Sequence, residues 1–360
     1  MNRFSIIILV WAVGLSNIVS ASEPVFEKNV AKNLVAICNY WLNGKIEGVD
    51  STFVDPEYKL LYESKLYKMD NRWQMWQKGD DAMVINLRGT TREAISWMEN
   101  FYAAMIPSEG DILLPDSQKV HYKFAADPRA HVHVGWAMGV SFMIEDILKH
   151  IKEANSRGIY KIYITGHSQG GALAHLTRAF LQYLPESKVS KKNEYIVYAF
   201  APPKPGNRFF AYDYASYTSI NNSSYSIINV QDWVPQVPLS IQSPENMVAL
   251  NPFASLERNE FKLPFFKRIF AKKIYNSMKN PVKKAQKRFR KVLGRTMEKQ
   301  IAKKVGDFVV PSFVNDFAYF PVGLTIPLQG IGGECKDTKM KIFWEHLPAN
   351  YYILIEKQIN

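Results

Sequence analysis

Apolar residues along this chain follow two spacings that alternate. Val30, Leu34, Ile37, Cys38, Trp41 and Leu42 recur three and four apart and predict an amphipathic helix. Tyr58 to Tyr67 alternates and predicts a strand. Arg72 to Gln77 and Ala82 to Leu87 flank Gly79-Asp80-Asp81 and predict an antiparallel hairpin. Trp97, Phe101 and Met105 mark a short helix. Gly110 to Ala130 is polar and irregular with two prolines, so a loop over a cleft is expected. Phe142, Met143, Ile147 and Ile151 give the inner face of a helix from Met138 to about Ala154. Tyr160 to Thr165 predicts a strand, and Leu173, Leu176, Phe180, Leu181 and Leu184 the helix after it. Tyr195 to Phe200, Tyr225 to Val230 and Phe317 to Leu328 are further strand-like runs. Strands alternating with helices predict an α/β fold with a mostly parallel central sheet flanked by helices.

Between the strand at 160–165 and its helix lies Gly166-His167-Ser168-Gln169-Gly170-Gly171. Strand, Gly-x-Ser-x-Gly turn and helix is the layout of a nucleophile elbow. The serine occupies a strained turn, and Gly166 and Gly170 sit where side chains would clash. The helix start aims its N–H groups and positive dipole end at the same spot. A serine hydroxyl needs a base, and the base needs an orienting acid. In such folds these groups sit at carboxyl ends of strands, in the order serine, acid, histidine. Asp232 follows the strand 225–230 and is the candidate acid. Asp213, Asp307, Asp316 and Asp337 also follow Ser168, but none sits at a clean strand end. His346 is the only histidine after Asp232, hence the candidate base. His167 cannot swing round to serve Ser168, so a packing role under the elbow is expected. His131 and His133 precede the serine and are expected to be structural or to line the cleft. An oxyanion needs two donors: the N–H of Gln169, and one from the strand-end loop Arg88-Gly89-Thr90, where the Thr90 N–H is the candidate, aided by its hydroxyl.

Together these motifs are similar to one family. Leu87-Arg88-Gly89-Thr90 with Trp97, His133-x-Gly135-Trp136, the elbow, Phe200-Ala201-Pro202-Pro203 with Gly206-Asn207, Asp232-x-Val234-Pro235, and His346 with Tyr351 resemble the class 3 (fungal-type) lipases. The resemblance runs roughly from Tyr58 to Tyr352, apart from a basic segment. It implies an α/β-hydrolase fold, a Ser168–Asp232–His346 triad, Thr90 and Gln169 at an oxyanion hole, and hydrolysis of acylglycerols or related carboxylic esters. It implies no metal or cofactor. Ala201 departs from the family's usual glycine after the phenylalanine.

Charge changes the picture in one place. Seventeen basic residues and three acidic ones fall between Glu257 and Lys304, so this window exceeds the whole chain's formal +12. Phe266, Ile269, Phe270, Ile274 and Met278 form one helical stripe there. Val282, Ala285, Phe289, Val292, Leu293, Met297, Ile301 and Val305 form another. Two cationic amphipathic helices broken at Asn280-Pro281 are expected, as an insertion at 255–306. They read either as a solvated hairpin packed on the domain, or as a lid or membrane element for anionic lipid. The charge also suits the phosphates of nucleic acid, but an export signal argues against that partner. That signal is Arg3, the apolar run Phe4 to Leu15, and Val19-Ser20-Ala21 before Ser22. It gives a cleavable peptide at 1–21 and export to a periplasm or beyond the cell. An uncleaved anchor is the alternative, but the run is short of the roughly twenty residues of a span. One hydrolase domain is expected at 22–360. Cys38 and Cys335 are the only cysteines. They pair in an oxidising compartment, or Cys38 is a buried free thiol. Three readings of function stand: a glycerolipid ester hydrolase, a phospholipase A1 or lysophospholipase on anionic membranes, and a non-catalytic lipid-binding module on a hydrolase fold. Acyl-chain length, head group and oligomeric state are not fixed by the sequence.

Overall fold

The computed structural model describes residues 26–42, 54–248, 251–258, 260, 264–330 and 341–359. The expected signal peptide at 1–21 and Cys335 lie outside these. Among the described residues no helix is long and apolar enough to cross a membrane.

Seven strands follow one another across the central sheet in chain order: Tyr58–Glu63, Trp73–Lys78, Ala82–Leu87, Lys161–His167, Glu194–Phe200, Ser224–Asn229 and Leu324–Leu328. The first three pair antiparallel and every later pairing is parallel. Parallel neighbours need crossovers, and the helices Val134–Ser156, Gln169–Gln182 and Arg208–Thr218 lie within them. Strands covered on both faces read as continuous apolar runs. In Lys161–His167, Ile162 and Ile164 enter the core under the helices Val134–Ser156 and Gln169–Gln182. Tyr163 enters the opposite core, built on the helices Lys28–Asn39 and Pro348–Gln358. Truncating the fully buried Ile164 to alanine would cost about 2–5 kcal/mol. Cys38 faces the sheet with Sγ 3.5 Å from Asn86 Oδ1, and burial pushes its thiol pKa up to about 12.

A second sheet runs Tyr319–Phe320, Gly206–Asn207, His131–His133, Met105–Pro107. Three expectations need correction. The loop at 110–130 holds instead the hairpin Glu109–Leu113 with Lys119–Lys123. Val120, Tyr122 and Phe124 alternate inward and Phe124 meets Phe180 of the elbow helix, so polar outward residues hid a period of two. The run 317–328 divides at Pro321 and Gly323, sending its halves to different sheets.

The basic segment is the third. It forms one uninterrupted helical path, not two helices: the α-helix Phe265–Phe289, a π-helical stretch Arg290–Thr296, and the α-helix Met297–Val305. Pro281 lies inside the first, on its exposed side, where solvent can satisfy the carbonyl that loses its partner. The wide π turn frees Leu293 O, which accepts the Ala104 N–H at 3.2 Å. Gly294 sits against Phe313, where a Cβ would come within 2.8 Å of the ring.

Candidate active site

Ser168 stands between the strand Lys161–His167 and the helix Gln169–Gln182 at φ 62°, ψ −128°. This is a left-handed backbone for a side chain with a Cβ, held by the Ser168 N–H bond to Phe200 O at 2.9 Å. A Cβ on Gly166 would drive into the Gly170 carbonyl, and one on Gly170 into the Leu87 carbonyl. The steric reason read from the sequence for both glycines is therefore present in the backbone. Gly89 is equally constrained, since its Cβ would lie 2.6 Å from His167 O.

The structure brings Ser168, His346 and Asp232 together. His346 Nε2 lies 2.9 Å from Ser168 Oγ, and His346 Nδ1 lies 2.7 Å from Asp232 Oδ2. A carboxylate can only accept, so Nδ1 carries the hydrogen and Nε2 turns its lone pair to the serine hydroxyl. Asp232 is fully buried. Its Oδ1 accepts the Val234 N–H at 2.9 Å, and its Oδ2 also accepts the Tyr351 hydroxyl at 2.8 Å. A buried carboxylate with three donors is held in place at little desolvation penalty.

His346 ends the 3₁₀ turn Lys341–His346, and the Asp232 loop grips that turn directly. Asn229 Nδ2 donates to Glu345 O at 3.0 Å and to its Oε2 at 2.6 Å, and Trp233 Nε1 donates to Ile342 O at 2.8 Å. Sequence reading missed Asn229 and Glu345 because nothing in their spacing marks a contact across more than a hundred residues. Phe343 lies between Trp97 and Trp233, with centroids 6.2 and 5.7 Å away, and forms an aromatic edge beside His346.

Thr90 and Gln169 meet on the other side of the serine. Gln169 opens its helix, where first-turn N–H groups have no intrahelical acceptor. The Thr90 hydroxyl donates to Gln169 Oε1 at 2.9 Å and accepts from Asn100 Nδ2 at 2.8 Å. Trp136 Nε1 in turn donates to Asn100 Oδ1 at 3.0 Å. His133 supports the same chain by donating from Nε2 to Asn100 O at 3.1 Å, stacked on Trp136. The motif His133-x-Gly135-Trp136 thus serves to fix Thr90. Beneath it, Glu99 is fully buried and accepts from Asn71 Nδ2 at 2.7 Å. Burial holds its carboxyl well above the usual range, against hydrogen bonds from Asn71 and Gln169. Glu99 carried no sequence signal: it is one carboxylate on a short helix.

His167 does not reach Ser168. Its ring lies 4.5 Å from that of His346, and burial, then the neighbouring His346 charge, keep its pKa well below the usual value. It is a neutral support, so no second positive charge crowds the imidazole. His131 is held by Asp316 at 2.9 Å, and Asp316 also accepts from Asn207 and Asn246. That cluster locks the second sheet and stands apart from Ser168's partners. Ala201 takes φ 48°, the conformation a glycine adopts without strain. A cavity of about 180 Å³ adjoins Asp232, lined mainly by Pro202, Pro203, Pro235, Ile228 and Val322.

With this geometry in view, the chain can be set beside known proteins. Residues 84–241 match the model of the class 3 lipases. A secreted mono- and diacylglycerol lipase of Gibberella zeae is 30% identical over 178 residues, covering 48% of this chain and 50% of that protein. A lipase of Rhizopus niveus is 34% identical over 110 residues, covering 30% of this chain and 27% of that one. The chain thus spans half or less of the length of these relatives. The solved structure of lipase II from Rhizopus niveus superimposes at a TM-score of 0.41 and 22% identity, over 59% of this chain and 73% of that chain.

Proposed function

From the match of residues 84–241 to the class 3 lipase model, we propose that the chain is a serine carboxylic-ester hydrolase acting on acyl esters of glycerolipids. One observation carries this reading: His346 bridges Ser168 at 2.9 Å and the buried Asp232 at 2.7 Å. His346 takes the proton of Ser168 as its oxygen attacks the ester carbonyl. The N–H groups of Thr90 and Gln169 hold the oxyanion, and Asp232 stabilises the imidazolium. The alcohol leaves with the proton from His346. Water then repeats the sequence on the acyl-enzyme, releasing the acid and restoring the serine.

Apolar substrates are favoured by the Trp97–Phe343–Trp233 edge beside His346. The Gibberella relative, named for mono- and diacylglycerols, supports acylglycerols as the first class to try. A phospholipase A1 or lysophospholipase activity is the second reading, favoured by the cationic helix. The domain assignment proposed is one hydrolase unit at 22–360 carrying the helical insertion. Export through 1–21 is supported by that segment's composition and by the relative named as secreted.

The test is Ser168→Ala assayed on a p-nitrophenyl ester beside covalent labelling with a fluorophosphonate. Loss of rate by about a thousandfold or more, with loss of labelling, is expected. An unlabelled, inactive wild-type chain would leave a lipid-binding module on a hydrolase fold. A lipid panel read by mass spectrometry, acylglycerols beside anionic and zwitterionic phospholipids, then separates the two enzyme readings.

A further inference from the structure

The two apolar stripes of the basic segment have opposite fates. Phe289, Leu293, Met297, Ile301 and Val305 enter or pack against the main core, so the second half of the helical path belongs to the domain. Among the described residues, the first half is anchored along the side that carries Tyr275 and Lys279. There Tyr275 stacks on Phe253 with centroids 5.9 Å apart, and Glu257 takes hydrogen bonds from Tyr275 and Lys279.

Its outward side carries Phe265, Phe266, Ile269, Phe270, Ile274 and Met278, each 45% or more exposed, with Phe266 at 83%. These fourteen residues span about 20 Å of helix at 1.5 Å per residue. Single exposed apolar side chains are ordinary, but a continuous run of six marks an interaction surface. Lys267 and Lys273 stand among them, and Lys284, Lys287, Arg288 and Lys291 line the exposed sides of the next turns. No acidic residue occurs between Phe265 and Met297.

We propose that Phe265–Met278 docks the protein on an anionic lipid bilayer, its six apolar side chains entering the acyl boundary and the following lysines and arginines meeting the headgroups. A helix with aromatic residues on one side and cations on the rest lies in a membrane interface in this way. Charge complementarity selects the occupant. A nucleic acid would use the cations and leave the two outermost phenylalanines idle, whereas an anionic bilayer uses both. Docking needs no step of the ester chemistry, so it can be tested without activity.

The experiment is co-sedimentation of the full chain carrying Ser168→Ala, which cannot consume lipid. The vesicles are phosphatidylcholine alone or phosphatidylcholine mixed with phosphatidylglycerol. At least tenfold tighter binding to the mixed vesicles is expected, weakening as salt rises. Phe266→Ser with Phe270→Ser should lower binding by about tenfold or more. Lys267→Gln with Lys273→Gln should lower it about fivefold per charge. These side chains are exposed, and an unchanged near-ultraviolet circular dichroism spectrum shows that the variants fold. Equal binding to both vesicles overturns the proposal, as does full binding by the folded phenylalanine double variant. A dimer that the same double substitution dissociates, with no vesicle binding, would put a second copy on this surface instead. Tight binding of a DNA duplex without vesicle binding would put a phosphate polymer there.

Discussion

The Tyr351 hydroxyl donates to Asp232 Oδ2 at 2.8 Å while accepting the Asn229 N–H at 2.9 Å, tying the last helix to the strand end that carries the acid. Burial, then the nearby Asp232 charge, push its phenol pKa far above the ordinary value, so it stays a donor. Tyr351→Phe leaves the buried Asn229 N–H without its acceptor and Asp232 with two donors. The expected outcome is a kcat about tenfold lower with KM unchanged, and a stability loss of about 1–3 kcal/mol. Steady-state kinetics and denaturant melts check both. An unchanged kcat would mean that Val234 and His346 suffice to hold the carboxylate.

Thr90 separates backbone from side chain. Thr90→Val keeps the N–H proposed for the oxyanion but loses the hydroxyl that joins Asn100 to Gln169. A fall in kcat of roughly ten- to a hundredfold is expected, less than the loss of a direct donor, which costs about a hundred- to a thousandfold. Thr90→Ser should recover most of it. Equal rates for the valine and serine variants would remove the hydroxyl from the account.

Glu99 sets a pH dependence of stability. Its folded pKa is raised by burial, so the folded state holds a proton that the unfolded state releases above about 4.5. Its stabilising share is complete below that value and is lost as pH rises towards the folded pKa. Glu99→Gln copies the protonated shape and removes the proton uptake. Its melting temperature should therefore gain on the wild type between about pH 5 and about pH 8. A constant difference across that range would mean that the carboxyl is not held protonated.

His175 has the opposite sign. It is buried between Tyr214 and Ser226, at 3.1 and 2.9 Å, and burial lowers its pKa to about 3. The folded state keeps it neutral, so its share is complete above about 6.5 and is lost as pH falls towards 3. At pH 5 the loss is about 2 kcal/mol. Melting curves from pH 7 to pH 4 should fall less steeply for His175→Asn than for the wild type, even if the variant starts lower.

What was legible in the chain followed local rules. Gly166, Ser168 and Gly170 form a strand–turn–helix whose sterics are contained in six consecutive residues. Asp232 and His346 could be chosen because strand ends and chain order leave few candidates. Asn100 and Glu345 could not, because their roles depend on elements that meet only after folding. The hairpin at 109–123 was hidden by charged outward residues, among them Lys119, His121 and Lys123. Pro281 misled for a different reason: proline is a local breaker, but packing on both sides of it can hold a helix together.

That last point is testable. Pro281 lies exposed within the helix Phe265–Phe289. The helix is pinned before it by Tyr275 on Phe253 and after it by Phe289 against Phe317 at 5.7 Å. A proline inside a helix costs about 3 kcal/mol relative to alanine. It returns about 0.4–1 kcal/mol by stiffening the unfolded chain. The first effect is larger, so Pro281→Ala should stabilise the protein by about 2 kcal/mol and increase the helical signal at 222 nm. Ester hydrolysis should be unchanged, since the site is built from other elements. If the segment were two helices meeting at Asn280, alanine there would gain no helical hydrogen bond, and the melting temperature would stay level or fall.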